Sequence, residues 1–95
     1  MESDYLKIIN HFGVNNQQRK LQEEVFELQE AITKYENGSG SKEAIEEEIV
    51  DVLLILKQFK RFYLLSPLNA LLMDRKKRKR TLKRMKEGYY EANTR

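Results

Sequence analysis

The sequence predicts an all-α fold: an antiparallel helical bundle of about four helices, forming a single domain over residues 1–95 and completed by oligomerisation. Three observations carry that expectation. Only one Pro and four Gly interrupt 95 residues, so few points force the backbone out of a helix. Over long stretches apolar residues recur every three or four positions, the period of one helix side, and do not alternate as strands require. Ser, Asn and Gly stand at the ends of those stretches, where hydroxyl and amide side chains cap helix starts and Gly ends helices.

The elements follow in order. Ser3 caps a short first helix that runs to about Phe12 and ends at Gly13. Asn15 or Asn16 caps a second helix reaching about Tyr35, and the cluster Asn37-Gly38-Ser39-Gly40-Ser41 stops it. Ser41 caps a third helix with Glu43 in its first turn, where a carboxylate meets the positive end of the helix dipole. That helix extends to about Leu65. Ser66-Pro67 reads as a cap followed by Pro at the first helical position, where the missing N–H costs nothing. The fourth helix starts there, carries a basic cluster and frays near Gly88.

The apolar fraction is 40% and the charged fraction 35%, against typical values of roughly 45–50% and 25%, so the core is thin. Self-association is the expected remedy, as a homodimer or homotetramer with helix-on-helix contacts near Phe59 or Phe62. The absence of Cys excludes disulfides, thiol catalysis and thiolate zinc sites, and a single His excludes a multi-His metal site within one chain. Met1-Glu2-Ser3-Asp4 is acidic with no apolar segment behind it, and the longest aliphatic run, Val52 to Leu56, is far too short to span a bilayer. A cytoplasmic protein with no membrane partner is expected. Charge is unevenly placed: residues 1–74 hold 8 basic and 13 acidic groups, a net −5, whereas residues 75–95 hold 10 and 2, a net +8.

Carboxylates occupy positions where apolar side chains belong. Leu21, Val25, Leu28, Ile32 and Tyr35 are spaced as one helix stripe, and Glu24 falls within it, three residues after Leu21 and four before Leu28. Glu27 lies one turn further along the edge of that face. The third helix repeats the arrangement, with Glu48 inside the stripe Ile45, Ile49, Val52, Leu56 and Phe59, and Asp51 surrounded by aliphatic neighbours. A short turn sets the two helices antiparallel, so that Glu24 and Glu27 face Glu48 and Asp51. Like charges about 4 Å apart repel by roughly 4 kcal/mol at an effective dielectric of about 20, so the quartet calls for a cation. Hard oxygen ligands without Cys or His favour magnesium, with manganese as the second choice.

With Lys20-Leu21-Gln22-Glu23-Glu24-Val25-Phe26-Glu27 followed by Glu48-Ile49-Val50-Asp51, the chain resembles the MazG-like, all-α nucleoside triphosphate pyrophosphohydrolases. Their signature is Glu-Glu-x-x-Glu, then a spacer and turn, then Glu-x-x-Asp; the spacer between Glu27 and Glu48 is 20 residues. The resemblance covers the chain from about Leu6 to Tyr90 and implies that Glu24, Glu27, Glu48 and Asp51 are magnesium ligands. It makes Glu23 an outer carboxylate or a ligand of a second metal, and brings Lys20 to phosphate. The tail from Lys77 to Tyr90 looks like the last helix of small family members, in which cations at helical spacing neutralise a triphosphate. Lys77, Arg80 and Arg84 share a side and are the candidates. The implied reaction is water attack at the α-phosphorus, yielding nucleoside monophosphate and pyrophosphate. The competing expectation is a small helical nucleic-acid-binding or regulatory protein that uses residues 75–86, where nine of twelve residues are Lys or Arg.

Overall fold

A computed structural model describes residues 3–88, and within them the chain is helical throughout with no strand. The elements are α1 (Asp4–Phe12), α2 (Val14–Glu36), α3 (Lys42–Phe62) and α4 (Pro67–Lys86). Tyr89 and Tyr90 lie outside the described residues. The chain divides into two compact units, Met1–Leu64 and Leu65–Arg95, within the single domain expected from length.

Local chemistry explains most of the boundaries. The hydroxyls of Ser3, Ser41 and Ser66 accept from the backbone N–H groups of Leu6, Ala44 and Asn69 at 3.1, 3.1 and 3.2 Å, as capping serines should. The start of α2 differs from expectation. Gly13, with φ at 91°, both ends α1 through an N–H bond to the Ile9 carbonyl (2.8 Å) and precedes α2 without a side-chain cap. That backbone conformation suits a residue without Cβ. Asn15 and Asn16 therefore lie inside the helix, where the Asn16 amide donates to the Phe12 carbonyl at 2.8 Å. Helix α3 stops at Phe62, earlier than Leu65, because Tyr63 leaves the helix and Leu64 turns left-handed with φ at 53°.

In the first unit α2 and α3 form the main pair, and α1 packs on α3 and, less extensively, on α2. Their antiparallel course is visible in the partners: Gln17 near the start of α2 bonds Gln58 near the end of α3, while Glu24 and Glu48 meet further along. The turn between them is tight. At Gly40, with φ at 79°, a Cβ would come within 3.3 Å of the Lys34 Cβ, so a larger residue would meet both strain and a close contact. Fully buried hydrophobic residues are only Ile9 and Ile55 among the described residues, which matches a thin core.

The buried register departs from the expected stripes. Leu21 and Leu28 are half-buried, but Val25, Ile32 and Tyr35 on α2 and Ile49 and Leu56 on α3 are exposed. The side of α2 that meets its neighbours runs through Gln17, Leu21, Glu24, Leu28 and Ala31; that of α3 runs through Ile45, Glu48, Val52, Ile55 and Gln58. Both helices carry apolar arcs wider than one contact, and the nine residues of α1 cover only part of them. Rotation toward the carboxylate side leaves Phe26, Val50, Leu53 and Leu54 uncovered within this chain.

The second unit holds α4. Its side chains are exposed except for half-buried Ala70 and Arg84. No helix among the described residues is long and apolar enough to cross a membrane.

Candidate metal centre

Three of the four predicted ligands come together. Glu24 and Glu27 lie one turn apart on α2, Glu48 stands in the second turn of α3, and one carboxylate oxygen from each lies within 4.8 Å of the others. Asp51, one turn beyond Glu48, is outside that trio. It is half-buried and lines an open cleft of about 740 Å³, together with Glu23, Glu24, Lys20, Asn16 and Phe12. The cleft lies entirely within the first unit.

Burial makes the trio chemically unusual. Glu24 is only 6% exposed. Its Oε1 receives the Lys20 ammonium at 3.1 Å, whereas Oε2 is buried with no hydrogen-bond partner. Glu48 Oε2 is buried and unpartnered too. A buried carboxylate oxygen left without a donor costs free energy on the order of 1–3 kcal/mol, so two such oxygens in one cluster call for something that compensates them. Lys20 supplies part of that compensation, and the hydrogen bond to Glu24, followed by its charge, holds the ammonium above its ordinary pKa.

Burial, then the negative charges of Glu27, Asp51 and Glu24, hold the Glu48 carboxyl above its ordinary value of 4.5. The consequence has a definite sign. A carboxyl whose folded pKa is raised binds a proton more tightly folded than unfolded, so its contribution to stability is fully present below about pH 4.5 and is lost as pH rises through the raised value. We therefore expect the metal-free chain to lose stability from this group as pH rises above 4.5. Added magnesium should stabilise it more at pH 7.5 than at pH 5, because cation and proton compete for the same oxygens. Thermal melts at both pH values, with and without magnesium, check this; equal magnesium effects at both would contradict it.

Two contributors were missed in the sequence. Gln17 and Gln58 are buried, joined by a 2.8 Å bond from Gln17 Nε2 to Gln58 Oε1, and both line the cleft. A signal existed, since Gln17 precedes Glu24 by seven residues and Gln58 follows Asp51 by seven, two turns along the same sides. Glutamine is ordinary on a solvated helix, and nothing in its spacing marks it as buried.

The remaining candidates lie in the second unit. Lys77 and Arg80 are exposed on α4 and Arg84 is half-buried, at the three- and four-residue spacing that puts them on one side. Compared with known proteins, the chain matches no family model, no curated protein and no solved structure at a significant level. Three convergent oxygens with no sulfur or imidazole beside them are a donor set for a hard divalent cation.

Proposed function

We propose that this chain is a magnesium-dependent nucleoside triphosphate pyrophosphohydrolase, releasing nucleoside monophosphate and pyrophosphate. The supporting observation is the pair of buried, unpartnered oxygens on Glu24 and Glu48 where three carboxylates converge beside an open cleft. In this reading Glu24, Glu27 and Glu48 hold the ion, with Asp51 the fourth carboxylate on the adjoining turn. Magnesium is preferred and manganese can replace it. A divalent ion there supplies Lewis acidity and positive charge beside a polyanionic substrate, which carboxylates alone would repel.

The chain's own groups do the rest. Lys20 holds Glu24 Oε1 and so fixes the direction of Oε2. Glu23, exposed on the cleft wall, is the carboxylate to which we assign the proton of the attacking water, since it stands apart from the trio. Lys77, Arg80 and Arg84 provide phosphate-binding cations. The serine hydroxyls are engaged elsewhere: those of Ser3, Ser41 and Ser66 in helix caps and that of Ser39 with the Lys34 carbonyl. Val25, Ile32, Ile49, Val50, Leu53 and Leu56, all exposed within one chain, support a homodimer or homotetramer that covers α2 and α3.

The test is to incubate the chain with a panel of ribo- and deoxyribonucleoside triphosphates and magnesium, and to resolve products by phosphorus NMR. Monophosphate and pyrophosphate are expected from at least one substrate, with activity removed by a chelator and migrating on size exclusion at twice or four times 11.4 kDa. Absence of pyrophosphate across the panel would overturn the activity, and activity confined to a monomeric fraction would overturn the assembly.

A further inference from the structure

The basic run on α4 exceeds what one triphosphate requires. Nine of the twelve residues from Arg75 to Lys86 are cationic, and six of them, Arg75 to Arg80, are consecutive. At about 100° per residue, six consecutive side chains leave no arc wider than about 100° without a positive charge. Lys77, Arg80 and Arg84 fall within about 60° of one another, and Arg75, Lys79 and Lys86 within about 40° on the opposite side. Neutralisation from within the helix is slight. Asp74 pairs with Arg78 at 3.1 Å and Glu87 with Lys83 at 3.9 Å, while Arg75, Lys76, Lys77, Lys79, Arg80 and Lys86 have no ion pair among the described residues.

Charge on all sides selects among anionic partners. A membrane surface takes a helix with one continuous apolar face. On α4 the apolar side carries Leu71 and Leu72 at one end and Leu82 and Met85 at the other, with Arg75, Arg78 and Lys79 between them on that same side. A single phosphate chain uses one side. The major groove of B-form DNA, about 12 Å wide, admits a helix of about 10–12 Å diameter and flanks it with phosphates of both strands, so opposite sides meet negative charge together.

We propose that α4 is a binding element for the backbone of duplex DNA, independent of sequence, in which Lys77, Arg80 and Arg84, the cations assigned above to phosphate, act together with Arg75, Lys79 and Lys86 on the opposite side. The test uses the full chain, a fluorescein-labelled 30-base-pair duplex of arbitrary sequence, and anisotropy measured with a chelator present, so that metal-dependent hydrolysis plays no part. Affinity should fall with salt with a log–log slope of about 5, corresponding to roughly six phosphates neutralised. Arg75→Gln/Lys79→Gln/Lys86→Gln should lower that slope by about 3 and weaken binding at least tenfold at 100 mM salt. Lys77→Gln/Arg80→Gln/Arg84→Gln should do the same, since both sides face phosphates. The charge-keeping set Arg75→Lys/Lys79→Arg/Lys86→Arg should retain the slope, which separates charge from helix integrity. No retention of duplex at 50 mM salt, an unchanged slope in either Gln variant, or tighter capture by phosphatidylserine vesicles than by DNA would overturn the proposal.

Discussion

Glu24→Gln is expected to reduce magnesium-dependent pyrophosphate release by about 100-fold or more while making the metal-free chain more stable. The two effects have one origin. Glu24 is buried and clustered with Glu27 and Glu48; one of its oxygens is held by Lys20 and the other has no partner. Removing its charge relieves repulsion within the trio, and the amide keeps the shape and an oxygen for Lys20, whose largely exposed ammonium loses little. Relief of that repulsion is expected to raise the metal-free melting temperature. Loss of a ligand removes the cation's hold, and even outer partners of metal ligands cost 10–100-fold when changed. Thermal melts and product assays on the same preparations decide it. Full activity in Glu24→Gln, or lower metal-free stability, would count against the site.

Gln58→Ala should destabilise the first unit by about 2–4 kcal/mol, a large share of the total for so small a core. Gln58 is 1% exposed and its Oε1 accepts from Gln17 Nε2 at 2.8 Å, linking α3 to α2. Truncation would both open a cavity and leave the Gln17 amide buried without its acceptor, and the second cost is the full desolvation of a polar group. The double change Gln17→Leu/Gln58→Leu replaces both partners by apolar groups of similar size and should recover most of the loss. A urea titration of single and double variants separates the terms. If the double variant were as unstable as Gln58→Ala, neither the cavity nor the orphaned amide would explain the loss, and the Gln17–Gln58 hydrogen bond itself would carry it.

The carboxylates illustrate how much of the site is legible. Glu24 and Glu48 interrupt apolar spacing, and a charged residue at a core position is visible in a sequence because its burial needs a reason. Their convergence with Glu27 follows from two helices joined by a five-residue turn. Asp51 was equally conspicuous among Val50, Val52 and Leu53, yet it stands outside the trio, on the cleft wall. Lys20, expected at phosphate from the resemblance, pairs with Glu24 one turn away on the same helix, a contact that its four-residue spacing allows.

By itself the sequence determined the helices and most of their ends. Capping serines, Gly13, the Gly/Ser turn and Pro67 act within a few residues of where they stand, so their effect needs no tertiary context. Only the tertiary structure decided which sides meet. A three-and-four spacing sets the angle between residues on one helix but leaves the helix free to rotate as a whole, and α2 and α3 each carry an apolar arc broad enough for more than one choice. The rotation adopted buries Glu24, Gln17 and Gln58 and leaves Val25, Ile32 and Leu56 exposed. Helix α1, where Ile9 is buried, packs on α3, where Ile55 and Gln58 are buried, and no local pattern encodes a pairing of elements so far apart in the chain.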